Sequence, residues 1–241
     1  MKGSIMRSTA RLSTRTRRGL ATMATIGLLA GPLAACSSDS EAAPASSESS
    51  SSSSATAETQ TPPEPVAAID ALTGQDTKIA LDKGFVDALT QLKLTPGVTG
   101  DAKLTDGSLV FPITGGNVTV FEPGQVSPYV IGQVQHEGSG LSLSAGDTTV
   151  ELTNLNVDQG VSRVYGDVTV NGEVAVTSAY LFKLDGSTLK PLQTQGNKAI
   201  LQGTEVQFSD VGAPLLNDTF GTDAVTPGLL VGIATITVNT K

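Results

Sequence analysis

The sequence has few of the residue types that most catalytic and metal sites need. Its 241 residues include one Cys, one His, no Trp, 3 Tyr and 6 Phe. A lone Cys forms neither an internal disulfide nor a thiolate metal site, and a lone His excludes zinc sites built on a His pair. Nucleophilic catalysis by a Ser–His or Cys–His pair would depend on His136 alone. We therefore predict no catalytic residues, no metal site and no enzymatic activity.

Basic residues are scarce beyond the start of the chain. Lys and Arg number 15 against 23 Asp and Glu, and six of the basic residues lie within residues 1–18. From residue 36 onward the net charge is near −14, and Arg163 is the only Arg. Nucleic-acid binding needs clustered Lys and Arg to neutralise phosphates. We therefore expect no nucleic-acid partner, and the acidic excess favours solubility.

The first 36 residues have the features of a bacterial lipoprotein signal. Residues 1–18 are basic, and the apolar run 19–31 has about the length of a signal-peptide core and is too short to span a bilayer. The lipobox pattern of small residues before a lipid-accepting Cys follows, and it is formed by Leu33, Ala34, Ala35 and Cys36. We predict a signal peptide over 1–35, a lipid anchor on Cys36, and a location on the outer face of the cell membrane. The alternative is an ordinary secretory signal with an incidental Cys.

Residues 36–66 are predicted to form a disordered tether. Residues 37–65 contain eleven Ser, several Ala and Pro, and no large apolar residue. Such a segment cannot bury enough apolar surface to offset its loss of conformational entropy. The tether would lift the remaining chain from the membrane toward the cell wall. The sequence leaves open whether the protein binds a cell-wall component or another protein there.

Residues 67–241 are predicted to form a single, mainly β domain. Apolar and polar residues alternate at period two between turn signals, of which Asn171-Gly172 is the strongest hairpin signal. Many short strands separated by turns indicate an antiparallel β-sandwich or a barrel-like domain. The predicted strands are 108–113, 117–121, 129–136, 141–144, 148–157, 161–170, 173–184, 198–201, 205–208 and 229–238.

Two helices are predicted beside the strands. The first would run from a cap at Asp76 or Thr77 to Leu94, because apolar residues recur there at helical spacing, and Pro96-Gly97 would end it. The second, shorter helix would begin at Ser209-Asp210 and reach Phe220, with Gly221 stopping it.

Four residues are candidates for ligand binding. His136 has the strand parity of Val134, which places it on a half-buried face and favours a structural role over that of a ligand or base. Tyr rings beside strands more often pack than bind. Ser139 lacks the surroundings of a nucleophile elbow. The sequence leaves open whether carboxylates in the turns bind calcium. The candidate set is His136, Ser139, Tyr129 and Tyr165.

Several short motifs in this order resemble the HtaA-type domain, a β-rich surface module of Gram-positive envelopes associated with haem uptake. The resemblance covers nearly the whole of 67–241. The motifs are 83–86 (KGFV), 107–112 (GSLVFP), 132–141 (GQVQHEGSGL), 150–155 (VELTNL) and 208–213 (FSDVGA), with Phe220 and Gly228.

The resemblance implies a β-rich fold and bound haem, but the residues depart from the family pattern. The position of the family's His falls on Ser139, while His136 occupies a position that is usually aromatic. The haem-ligating Tyr of the family belongs to the first helix region, and none of residues 85–94 is Tyr. Haem ligation in the family's manner is therefore not expected, although His136 offers a substitute ligand.

We predict a lipid-anchored envelope protein that binds a ligand or a partner without chemistry, with no cofactor assigned. The alternatives are a haem-binding accessory of haem uptake, a carrier of an apolar molecule held within the domain, and a purely structural envelope protein. A hydrolase would need a pair of accessible carboxylates in a cleft. A structure with a filled core and no concavity would remove the carrier and the hydrolase together.

Overall fold

Residues 62–241 are described by a computed structural model. The predicted signal peptide, the lipobox with Cys36, and the tether up to residue 61 lie outside the described residues. Within residues 62–241, neither helix has the length and apolar character needed to cross a bilayer.

The described residues contain thirteen strands and two helices. The helices are α1 (Lys83–Gln91) and α2 (Gly212–Phe220). The strands are β1 (Ala67–Ile69), β2 (Gln75–Leu81), β3 (Thr95–Gly100), β4 (Lys103–Thr105), β5 (Ser108–Pro112), β6 (Gly115–Val120), β7 (Val130–Ala145), β8 (Thr148–Asp158), β9 (Arg163–Val170), β10 (Glu173–Asp185), β11 (Gln193–Gln195), β12 (Lys198–Phe208) and β13 (Leu230–Asn239).

All the strands belong to one antiparallel sheet that curls round on itself. The order of pairing is β1-β6-β7-β8-β9-β10-β12-β13-β2-β5-β4, with β3 beside β7 and β11 beside β12. β5 and β6 follow each other in the chain but lie near opposite ends of this pairing order, because β5 pairs with β2 and β6 pairs with β7. The prediction of a mainly β, antiparallel fold is confirmed, in its barrel-like form.

A row of irregularities crosses four neighbouring strands on the outer side of the curl. Gly138, Asn154 and Ser178 have positive φ, and the registers of β7, β8 and β10 shift beside them. Gly138 N donates to Asn154 Oδ1, and Asn154 Nδ2 and Ser178 N both donate to the carboxylate of Asp167. These two hydrogen bonds hold the pKa of Asp167 below its ordinary value. Because bulges bend strands and increase their twist, this row curls the sheet.

The prediction for the first helix is wrong over residues 76–82. Residues 75–81 form β2, which lies between β13 and β5, and its buried Thr77 and Ile79 alternate with exposed neighbours. The helix begins only after Asp82, whose Oδ1 accepts from Gly84 N at 2.7 Å. Pro96-Gly97 does not end the helix either, because both residues lie in β3, which pairs with β7 alone.

The second helix and the hairpin agree with prediction. Ser209 Oγ accepts from the backbone N–H of Gly212 at 2.8 Å, and Gly221 ends α2 in the left-handed conformation with φ 63°. Asn171 and Gly172 both have positive φ, the geometry of the tight two-residue turn that joins β9 to β10.

The helices cover the aromatic part of the core. Phe85 of α1 packs against Phe208 of β12 with 6.0 Å between ring centroids, and Phe208 packs against Phe182 at 5.2 Å. All three rings are buried. Phe182 also borders the open interior of the curled sheet, whereas Phe85 and Phe208 do not.

Candidate functional site

A cavity of about 480 Å³ lies inside the curled sheet. Its walls are contributed by strands from both ends of the chain, because the curl brings β2 and β5 opposite β8, β9 and β10. Among its lining residues there is no Asp, Glu, Lys or Arg. Apolar side chains form most of the wall, including Ile79, Leu109, Val157, Val206, Ala234 and Ile236.

The cavity has an accessible end and a buried end. Gly124, Ser127 and Gly186 line it and are exposed, so the loops after β6 and after β10 form its mouth. Tyr129 stands at this mouth and is half-buried. His136, also in the wall, is only 1% exposed and belongs to the buried part.

His136 is held in one orientation by the backbone of β5. Its Nδ1 lies 2.8 Å from Pro112 O, and because a carbonyl only accepts, Nδ1 carries the proton. Burial lowers the pKa of His136 below its ordinary value of 6.5, against the opposing influence of the Pro112 carbonyl and Asp76. Nε2 is therefore an acceptor, and it has no partner among residues 62–241 although it is fully buried.

Two further polar atoms in the cavity wall lack partners. Thr77 Oγ1 and Gln159 Oε1 are buried, and neither forms a hydrogen bond with another described residue. Thr77 lies directly opposite Phe111 in the β2–β5 pair, and the Phe111 ring lies 6.0 Å from the His136 ring. The apolar cavity thus presents a few isolated polar atoms, which is the composition of a small-molecule site.

The structure brings two of the four candidate residues to this cavity. His136 and Tyr129 line it, whereas Ser139 and Tyr165 do not. Ser139 is buried in the bulge of β7, and its Oγ donates to the backbone oxygen of His136 at 3.2 Å, not to the ring.

Tyr165 belongs to a cluster away from the cavity. Its ring lies 6.0 Å from that of Tyr180, and the Arg163 guanidinium stacks on Tyr180 at 4.5 Å from the ring centroid. Neither Tyr165 nor Tyr180 lines the cavity that holds His136. Among the described residues there is also no group of three or more His, Cys, Asp and Glu placed to hold a metal ion.

A smaller cavity of about 190 Å³ adjoins the first. The two share Val130, Gln159, Leu201 and Ile236 as lining residues. Gln159 therefore stands between them, directly after β8 and four residues beyond Leu155, the residue that pairs with His136. A ligand longer than the first cavity has apolar space to extend into.

We expect the buried neutral His136 to make the protein less stable in mild acid. The unfolded chain takes up a proton near pH 6.5, whereas the folded chain resists it, so the free energy of unfolding falls as pH drops below about 6.5 and is unaffected above. Between pH 7.5 and 5.5 the loss should be at most about 1.4 kcal/mol, the limit for a folded His136 that takes up no proton in this interval, and urea unfolding measures it.

The matched variant for this measurement is His136→Phe, which keeps an aromatic ring beside Phe111. Its unfolding free energy should vary less with pH over the same interval than that of the unmodified chain. An equal pH dependence in both proteins would contradict a neutral, proton-resistant His136.

Comparison with known proteins finds likeness in structure alone. No family model and no curated protein matches the chain. It is similar to the C-terminal domain of HtaA from Corynebacterium glutamicum, with 14% identity and a TM-score of 0.49 over 70% of this chain and 98% of that one. The heme binding protein HtaB of the same organism gives 11% identity and a TM-score of 0.45 over 72% and 96%. The N-terminal domain of HtaA gives 12% and 0.44 over 72% and 99%. The predicted resemblance to HtaA-type domains is confirmed as a resemblance.

Proposed function

We propose that residues 62–241 form a binding module, not an enzyme, that holds a mainly apolar small molecule inside the curled sheet. The observation that carries this proposal is the uncharged apolar cavity of about 480 Å³ with its unpartnered polar atoms. Its volume falls within the range of about 300–1,000 Å³ that is usual for ligand sites.

The energetics of an unfilled core favour a ligand over a purely structural role. Protein interiors normally pack as densely as organic crystals, and each buried polar atom without a partner costs about 1–3 kcal/mol. His136 Nε2 and Thr77 Oγ1 are both such atoms. A ligand that fills the cavity and pairs with these atoms offsets both costs. A protein with a purely structural role would gain nothing from an unfilled cavity or from unpaired buried polar atoms.

Native mass spectrometry tests this proposal on the chain from residue 36 onward with Cys36→Ser, purified without detergent or organic solvent. We expect a fraction of the protein to carry an apolar adduct, and the adduct-free fraction to take up decanol in a one-to-one complex. A protein that is wholly ligand-free and takes up no decanol would contradict the proposal.

Haem is a second candidate ligand, and the arrangement of His136 favours it. Metal-binding His residues usually donate their other ring N–H to a carbonyl or carboxylate, which fixes the ring, and Pro112 O accepts from Nδ1 in this way. His136 Nε2 would hold the iron, and the apolar wall would enclose the porphyrin. The fit is incomplete, because no Lys or Arg lines the cavity to pair with the propionates.

A hemin titration decides whether haem is the ligand. If haem is the ligand, the Soret band of hemin should shift on binding, and His136→Ala should abolish that shift. His136→Ala removes the one imidazole and leaves the mouth residue Tyr129 in place. A shift that survives in His136→Ala would contradict ligation by His136.

We further propose that Cys36 anchors the protein to the outer face of the cell membrane. Two or three acyl chains suffice for stable attachment, since each buried CH₂ contributes about 0.8 kcal/mol. Cells grown with labelled palmitate should yield labelled protein, and Cys36→Ala should abolish the label and release the protein into the medium. Label retained by Cys36→Ala would contradict the anchor.

A further inference from the structure

His136 and Thr77, which carry unpartnered polar atoms, both line the cavity and both neighbour Phe111 in its wall. Thr77 pairs with Phe111 across β2 and β5, the Phe111 ring lies 6.0 Å from the His136 ring, and His136 is tied to the next residue of β5 through Pro112 O. His136 Nε2 and Thr77 Oγ1 are not hydrogen-bonded to each other. Each atom is therefore left without a partner among the described residues.

These two atoms make complementary demands on a ligand. His136 Nε2 can only accept, because the proton resides on Nδ1. Thr77 Oγ1 can donate its proton, since nothing among the described residues receives it. A group that satisfies both atoms has to donate to one and accept from the other, and a hydroxyl does both through one oxygen.

Charge distinguishes a hydroxyl from the carboxylate that many apolar ligands carry. A buried anion needs a paired cation or several donors to offset its lost hydration. The cavity wall contains no Lys or Arg, and the one imidazole in it is neutral. A carboxylate beside His136 and Thr77 would face the lone pair of Nε2 and receive at most one hydrogen bond, from Thr77.

We propose that the ligand of this cavity is a neutral apolar alcohol, whose hydroxyl lies between His136 Nε2 and Thr77 Oγ1 while its hydrocarbon part runs toward the mouth. This inference rests on the proposed binding of an apolar molecule and adds the chemistry of its polar end. The hydroxyl donates its proton to His136 and accepts that of Thr77. Gln159 stands toward the adjoining smaller cavity and is not needed for this contact.

Three ligands of matched length test the inference by calorimetry near pH 7.5, with the chain from residue 36 onward carrying Cys36→Ser. Decanol supplies a hydroxyl, nonyl methyl ether supplies an oxygen without a donor, and decanoate supplies an anion. We expect decanol to bind at least about tenfold more tightly than the ether, because the ether leaves His136 Nε2 unpaired. Decanoate should bind more weakly than either neutral compound.

Two variants separate this contact from general apolar binding. Thr77→Val removes the hydroxyl, and His136→Phe replaces the imidazole, with both its nitrogens, by an apolar ring of similar shape. Each should reduce the preference for decanol over the ether to within about threefold. The affinity for the ether should stay within about twofold of its original value. The unmodified chain already tests the inference, so it remains falsifiable even if a variant fails to fold.

The outcomes distinguish the two proposals. If the ether binds but decanol has no advantage, or if decanoate binds most tightly, the hydroxyl contact is wrong and the apolar site stands. If none of the three binds, the proposed function is wrong and the inference falls with it.

Discussion

Replacing Ala234 by Phe is expected to weaken decanol binding by at least about a hundredfold, equivalent to about 2.7 kcal/mol. Ala234 lies on β13 opposite Ile79, lines the cavity and is 4% exposed. A Phe ring at this position projects into the space that a ligand needs. Because the ring fills an existing cavity and not a packed core, the free energy of unfolding should change by no more than about 1 kcal/mol. Calorimetry and urea unfolding measure the two effects.

The neighbouring residue supplies the matched control. Ile233 lies on the same strand with its side chain on the outer face, where it is 37% exposed, and it does not line the cavity. Ile233→Phe should leave decanol affinity within about twofold of the original value. If Ala234→Phe folds normally and binds decanol as tightly as Ile233→Phe does, the ligand does not occupy this cavity.

Replacing Gly166 by Val should have the largest effect on stability, a loss of about 3 kcal/mol in the free energy of unfolding. Gly166 lies in β9 beside Asp167, in the row of irregularities that curls the sheet. A Cβ at this position would come within 2.8 Å of methyl carbons of Leu155 and Leu181 and within 3.0 Å of Thr153 O. Both Leu side chains are buried, and although Leu155 borders the cavity, Thr153 O belongs to the backbone of β8 and cannot move aside.

Gly186→Val is the control for this substitution. A Cβ at Gly186 would have no atom within 4 Å, and Gly186 does not have a positive φ. Its unfolding free energy should change by less than about 0.5 kcal/mol. The free energies of unfolding measured in urea should therefore differ clearly between the two variants. Equal values would show that β9 does not pack closely against β8 and β10 at Gly166.

Local sequence signals predicted those elements whose boundaries are set by neighbouring residues. Asn171-Gly172 permits the positive φ values that its turn requires, and Ser209 and Gly221 supply the hydrogen-bond acceptor and the left-handed residue at the two ends of α2. The alternation of apolar residues likewise located most of the longer strands.

Elements that depend on distant residues were predicted less well. Residues 76–81 have apolar positions compatible with either a helix or a strand, and pairing with β5 and β13 selects the strand. The predicted strands 129–136 and 141–144 are one strand, β7, which continues through a bulge at Glu137 and Gly138. Such a bulge changes the face of the residues beyond it, and its position depends on the hydrogen bond from Gly138 N to Asn154 of the neighbouring strand.

The candidate site was predictable only in part. His136 was prominent because it is the single His, and its strand parity correctly indicated an inward position. Thr77 and Gln159 were missed, although a polar residue at the parity of Ile79 was a usable signal for Thr77 once β2 was identified as a strand. The cavity itself depends on the order in which distant strands pair, and a single sequence carries no direct record of that order.

Nuclear magnetic resonance of the chain labelled at Ile, Leu and Val methyl groups, with decanol added, tests the central claim most directly. Magnetisation transfer from decanol should reach the methyl groups of Ile79, Val157 and Ile236, which line the cavity. It should not reach Leu152 or Val168, which are buried but do not line it. Transfer confined to exposed methyl groups such as those of Val161 and Val174, or no transfer to the cavity set at saturating decanol, would contradict a ligand site inside the curled sheet.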